Sequence, residues 1–267
     1  LASGYETALF GKAHFQNMST ERPSFRHVAK NLVPPPESLR DALTTIRSGP
    51  EYDREMNFEN STDPEADERE GDYYGFERFR VCTWHGDDVQ GHYTHWLKAR
   101  FPDEGNNRSS VNPLPDPRYD APQARKPRMP EEFYPTNYIA EMTLDYLDDY
   151  AKRGHEKPFF LQCSFPDPHH PFTPPGKYWD MYDPADISLP PSFYHAPHDQ
   201  TPILARIHQE LADGTANREW VRPYAVTESE AKQLTALTYG MIAFIDDSVG
   251  RILAKLKEHD LERNTII

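Results

Sequence analysis

Residues 158–182 read PFFLQCSFPDPHHPFTPPGKYWDMY, and the fold turns on how this stretch is understood. Phe159, Phe160 and Leu161, followed by Cys163 and Phe165, make a short apolar run that predicts an interior strand of an α/β sheet. Pro166, Pro168, Pro171, Pro174 and Pro175 then remove backbone donors and fix φ, so the chain leaves the ladder as a stiff extended loop. Asp167, His169 and His170 lie on that loop. Open α/β sheets bind ligands at the carboxyl ends of their strands, which makes two imidazoles here candidates for a site. A pair of solvated surface histidines accounts for them equally well on local grounds.

Upstream of the run, Ile139, Met142, Tyr146, Leu147 and Tyr150 repeat at helical spacing behind Thr136, a candidate cap, and Lys152-Arg153-Gly154 supplies a stop. Helix then strand is the alternation of a parallel sheet. Tyr5–Phe10 is a second short β-favouring run, which Gly11 is expected to break just before Lys12 and His14. Lys12 and His14 are two apart, so an extended backbone points both to one side, where an ammonium and an imidazole can address one anion. A solvated lysine beside a surface histidine fits the spacing too. Gly75-Phe76-Glu77 introduces a further strand through Phe79 and Val81.

The segment after that strand carries His85, Asp87, Asp88, His92 and His95. His92 and His95 share a helix face at ligand-compatible spacing, but no third ligand is set by spacing, so a loop and helix start with Trp96 and Leu97 packing inward is preferred, and the entrance of a pocket is their role if these side chains act. Thr227-Glu228-Ser229-Glu230 is a capping box opening a long helix, with Leu234, Leu237, Met241, Ile245, Val249, Ile252 and Leu256 on one face. Ile242 and Leu253 widen that face enough to predict burial between layers. Asp246 and Asp247 diverge around the helix, so i,i+4 contacts with Arg251 are expected rather than paired acid-base work. Glu37–Ser48 has helical spacing, Asp53–Asp72 reads as a solvated acidic loop, Phe101–Pro135 as a surface excursion, and the chain after Tyr182 as loop through Pro223.

With 267 residues, 26 prolines, 37% hydrophobic residues and a mean hydropathy of -0.84, the chain is loop-rich around a modest core. A net charge of -14 argues against nucleic acid and anionic membrane as partners, since both need a basic face. No segment is long and apolar enough to span a bilayer, and Cys82 and Cys163 make no disulfide framework. The chain starts inside a motif at Leu1-Ala2-Ser3-Gly4 and stops in Thr265-Ile266-Ile267, so both ends are expected to be cut.

Pro168-His169-His170-Pro171 resembles the histidine loop of the sulfatase family, within the alkaline phosphatase superfamily. Gly4-Tyr5-Glu6-Thr7-Ala8-Leu9-Phe10-Gly11-Lys12-Ala13-His14 resembles that family's G-Y-x-T-x-x-x-G-K-x-H segment. Tyr239–Leu256, with Asn264-Thr265-Ile266-Ile267, resembles the helix and next strand before its second group of metal ligands. The three occur in family order.

The resemblance implies an alkaline phosphatase-like α/β fold, a mixed sheet sandwiched by helices and incomplete here, with 1–267 a partial catalytic domain bearing an insertion at 18–74. It implies sulfuric ester hydrolysis in the full-length protein, acting on a small-molecule or carbohydrate sulfate ester. Lys12 would contact sulfate and nucleophile, His14 the nucleophile's hydroxyl, and His169 the sulfate or the leaving group, with His170 a second sulfate-binding candidate. The family's formylglycine and its divalent metal, calcium, would lie outside this chain. Cys163 is followed by Ser164-Phe165-Pro166 and lacks the family's C-x-P-x-R spacing, and no metal ligand transfers to any residue. A phosphodiester or phosphonate monoester hydrolase of the superfamily and an inert sulfatase-like binding protein are the alternatives. The fragment alone is expected to be inactive, a periplasmic or secreted location is slightly favoured by the resemblance with a cytoplasmic one as the alternative, and oligomeric state is not specified by the sequence.

Overall fold

A computed structural model describes residues 4–16, 36, 54–55, 73–101, 103–154, 156–194, 201–218 and 223–267. The predicted helix at 37–48, the body of the 18–74 insertion and all of the acidic 53–72 run except Arg54 and Glu55 lie outside the described residues. Residue proximity divides the chain into two compact units.

The first unit comprises 1–84, 89–96 and 157–164. Its strands β1 (Glu6–Lys12), β2 (Arg78–Thr83), β3 (Gln90–Gly91) and β4 (Phe159–Ser164) form an open mixed sheet in the order β3-β2-β1-β4. β1 pairs in parallel with both β2 and β4, while β3 returns antiparallel to β2. The predicted interior strand is thus the outermost of the described sheet, and Phe160 is 55% exposed although its ring stacks on Phe76. Gly11 does not break β1. It pairs with Val81 on one side and Ser164 on the other, and hydrogen bonding on both edges outweighs glycine's poor strand propensity. Gly91 has φ +80 and would press a Cβ to 2.4 Å from the Val81 carbonyl, so only glycine closes the corner between β2 and β3. Leu9, Tyr73, Phe76, Phe79 and Val81 form the core of this unit.

The second unit comprises 85–88, 97–156 and 165–267. α1 (His92–Arg100) passes from the first unit into it, followed by α2 (Glu104–Asn107), α3 (Pro135–Lys152), α4 (Pro202–Ala212) and α5 (Glu228–Glu258). α3 is capped by Tyr134 with Pro135 in its first turn, rather than by Thr136, whose hydroxyl is turned to Asp167 at 3.4 Å. Gly154, at φ +80, follows the end of α3 as expected. The capping box of α5 forms, with Thr227 accepting from the Glu230 amide and Glu230 from the Thr227 amide at 2.7 Å.

Four expectations change. α5 buries one stripe, Gln233, Leu237, Gly240, Met241, Phe244 and Ser248, and leaves Ile242 and Leu253 exposed, so it is covered on one side instead of sandwiched. Gly240 permits that packing, since a Cβ there would lie 2.3 Å from the Tyr178 carbonyl. Asp247 takes the Tyr178 hydroxyl at 2.6 Å and Lys177 at 3.3 Å, while Arg251 donates to Asn137 at 2.6 Å, so the expected pairing along α5 gives way to partners from other segments. α4, capped by Thr201, interrupts the region read as loop. Thr265–Ile267 pairs with no strand among the described residues, and a strand needs a neighbour to satisfy its amides.

Candidate active site

Lys12 is the last residue of β1, at the carboxyl edge of the parallel strands, paired in register with Cys82. Its half-buried ammonium donates to the Trp84 carbonyl at 3.4 Å. Burial lowers its pKa from 10.5 to about 8, with Glu55 and Cys82 pulling the other way. An ammonium that has shed part of its water is cheaper to pair with an anion than a hydrated one.

His14 lies beyond the strand in left-handed backbone, φ 56, so the two-residue alternation expected of an extended segment does not reach it. Trp84 just after β2 takes φ 61. Two non-glycine residues in this region of φ, each following a strand at the same sheet edge, cost about 1 kcal/mol or more apiece and mark a site held against local preference.

Glu55 secures the Lys12 end, a role that no local pattern of residues announces. In place of solvation within an acidic run, its carboxylate is fully buried, accepting from the Phe15 amide at 2.8 Å, the Gln16 amide at 3.2 Å and the Tyr73 hydroxyl. Its other oxygen is buried with no hydrogen-bond partner among the described residues. Arg54 covers the Tyr73 and Phe79 rings. Glu55→Ala strands three donors and is expected to cost about 3 kcal/mol in urea unfolding. A loss below about 1 kcal/mol would mean that the clamp does not hold the segment after Lys12.

The histidine loop belongs to the second unit. His169 is exposed, its Nδ1 is 2.6 Å from the His170 carbonyl, and the two rings are tilted with centroids 4.1 Å apart. His85 stacks on His169 at 3.5 Å. Beneath these rings lies a buried polar network. Asp87 accepts from the Ser109 amide and hydroxyl, each at 2.6 Å, and its backbone carbonyl takes Arg108 at 2.7 Å. Thr173 links the Asp87 amide at 3.3 Å to the Tyr134 hydroxyl at 2.9 Å. Asp167 receives the long bond from Thr136, and its Oδ1 is buried without a hydrogen bond of normal geometry. Burial pushes Asp87 up to about 6 and Asp167 up to about 7. Sequence placed Asp87 and Asp167 near the site but not in its interior, because burial of an aspartate depends on partners far along the chain.

The remaining candidates do not gather a metal. His92 is buried against β2, with its Nδ1 accepting the Val81 amide at 3.0 Å, and its pKa falls to about 3 by desolvation, so it is not turned to a ligand. Among the described residues Asp148, Glu258 and His259 are near enough to share an ion, but Lys255 sits 3.0 Å from both carboxylates and already offers them a cation. Neither cysteine suits conversion to a nucleophile: Cys163 lies within β4 opposite Phe10, and Cys82 is fully buried in β2 with its thiol pushed well up by desolvation.

The family model for sulfatases matches residues 2–267. The chain is 32% identical over 137 residues to an arylsulfatase of Clostridium perfringens, covering 51% of this chain and 25% of that protein. It is 30% identical over 183 residues to the multifunctional alkaline phosphatase superfamily protein PehA of Trinickia caryophylli, covering 66% and 34%. A solved phosphonate monoester hydrolase of Agrobacterium radiobacter superposes with a TM-score of 0.55 at 20% identity, covering 99% of this chain and 44% of that one. That likeness concerns the fold. The chain spans a quarter to a third of these two curated relatives.

Proposed function

Because the chain belongs to the sulfatase family, we propose that the full-length protein hydrolyses a sulfate ester and that Lys12, His14 and His169 act on it. The observation that carries this reading is the partly desolvated ammonium of Lys12 at the carboxyl edge of a parallel sheet. The register supports it further: Gly11 lies opposite Ser164, so β1, which carries Lys12, and β4 end at the same edge of the sheet, the edge where such sheets bind ligands.

In this reading Lys12 holds the nonbridging oxygens, where a cation shielded from water is worth several times its value in solution. His169 gives its proton to the ester oxygen as that oxygen leaves, and His14 orients the incoming nucleophile by hydrogen bonding. His170 adds a polar contact at the rim. The divalent metal and formylglycine usual in the family do not fit the described residues, and no step is routed through them.

The test is a side-by-side assay of full-length protein on an aryl sulfate, a phosphonate monoester and a phosphodiester. Preference for the sulfate is expected. Preference for either phosphorus ester would move the protein to the neighbouring chemistry of its superfamily, and no turnover of any would leave a binding protein.

A further inference from the structure

His85 has no task in the proposed chemistry, although its ring is stacked on that of His169. The His85 and His169 rings lie face to face, centroids 3.5 Å apart and 12° from parallel, while the His170 ring is 6.3 Å from His85. A carbonyl only accepts, so the 2.6 Å contact with the His170 carbonyl puts a proton on His169 Nδ1 and leaves Nε2 as the atom that can face a ligand. The stack closes one face of His169 and blocks rotation of its ring about the Cβ–Cγ bond.

The turn carrying His85 is itself pinned to the segment that follows His169. Gly86 has φ +56, and an added Cβ would come within 2.8 Å of Thr173 Oγ1 and 3.0 Å of Pro171 Cγ. Asp87 then reaches Thr173 through its amide and Ser109 through its carboxylate. The two imidazoles are therefore presented by segments that move together.

We propose that His85 is a positioning residue, holding the plane of His169 so that Nε2 points at the oxygen that leaves the ester. The inference rests on the assignment of His169 above. In the step concerned, an incoming oxygen nucleophile bonds to sulfur and the bond from sulfur to the ester oxygen breaks. The electron pair stays on the ester oxygen, which takes the proton from His169. A misaligned donor hurts most where the leaving oxygen is most basic, because that transition state needs the proton most.

The experiment compares kcat and KM of full-length wild type, His85→Ala, His85→Phe and His169→Ala on 4-nitrophenyl sulfate and phenyl sulfate, with circular dichroism to verify folding. For His85→Ala, kcat on phenyl sulfate is expected to fall about 30-fold and on 4-nitrophenyl sulfate less than about threefold, with KM little changed. His85→Phe, which keeps a flat ring over His169, is expected to recover most of the loss. Equal losses on the two esters, no loss, or a phenylalanine variant no better than alanine would each overturn the proposal. Should His169→Ala lose its activity while His85→Ala does not, only this inference falls. Should His169→Ala turn over both esters like wild type, the site assignment falls and takes the inference with it.

Discussion

In full-length protein, Lys12→Ala is expected to lower kcat/KM for the proposed sulfate ester by about 1000-fold, the scale seen when a charge-stabilising donor is removed from a transition state. The wild-type pH profile carries the same information. A lysine whose pKa is lowered from 10.5 to about 8 is an ammonium below that value and loses its charge as pH rises through it. kcat/KM, which reports the free enzyme, should therefore decline above pH about 8. Lys12→Arg keeps its charge through that range, so whatever activity it retains should lack this alkaline limb. Wild-type kinetics in Lys12→Ala would remove the ammonium from the proposed site.

Asp167→Asn is expected to stabilise the protein at pH 8 and to change little at pH 4. The folded carboxyl, at about 7, lies above its ordinary value of 3.8 because burial outweighs the help of the Tyr134 and Thr136 hydroxyls, with Asp87 nearby adding to the rise. A folded state that binds the proton more tightly than the unfolded one is most stable where the group is neutral in both. It loses that advantage as pH climbs from about 4 to about 7. Over such an interval the difference amounts to about 4 kcal/mol at most, since each unit is about 1.4 kcal/mol. The amide carries no charge, so urea denaturation of the variant should show a flatter pH dependence and a gain confined to neutral and alkaline pH. A gain of equal size at pH 4 would trace the effect to packing rather than to the buried charge. Asp87 is the natural contrast, because two bonds from Ser109 compensate its burial and an amide could replace only part of them.

The fate of individual residues shows where sequence reasoning reached. The strands at the start of the chain, after Gly75 and at 159–164 were legible from apolar runs and the glycines and prolines bounding them, as was the capped start of α5. Which of those strands lies at the edge was not, because pairing order is a property of the assembled sheet and β4 has the same composition inside or outside it. Thr136 looked like a helix cap until Tyr134 and Pro135 were seen to supply the start, freeing its hydroxyl for Asp167. The widened apolar face of α5 overstated its burial, since Ile242 and Leu253 record hydrophobicity without saying whether anything covers them.

Sequence by itself determined the family and the strand-then-loop setting of His169, because each depends on neighbours within a few residues, whereas it ended the first strand at Gly11, one residue short of Lys12. Tertiary structure alone decided that Glu55 is buried against the Phe15 and Gln16 amides, that Asp87 and Asp167 are interior acids, and that His85 covers His169. Those facts join positions tens of residues apart, where desolvation and hydrogen-bond geometry are set by whatever the fold brings alongside.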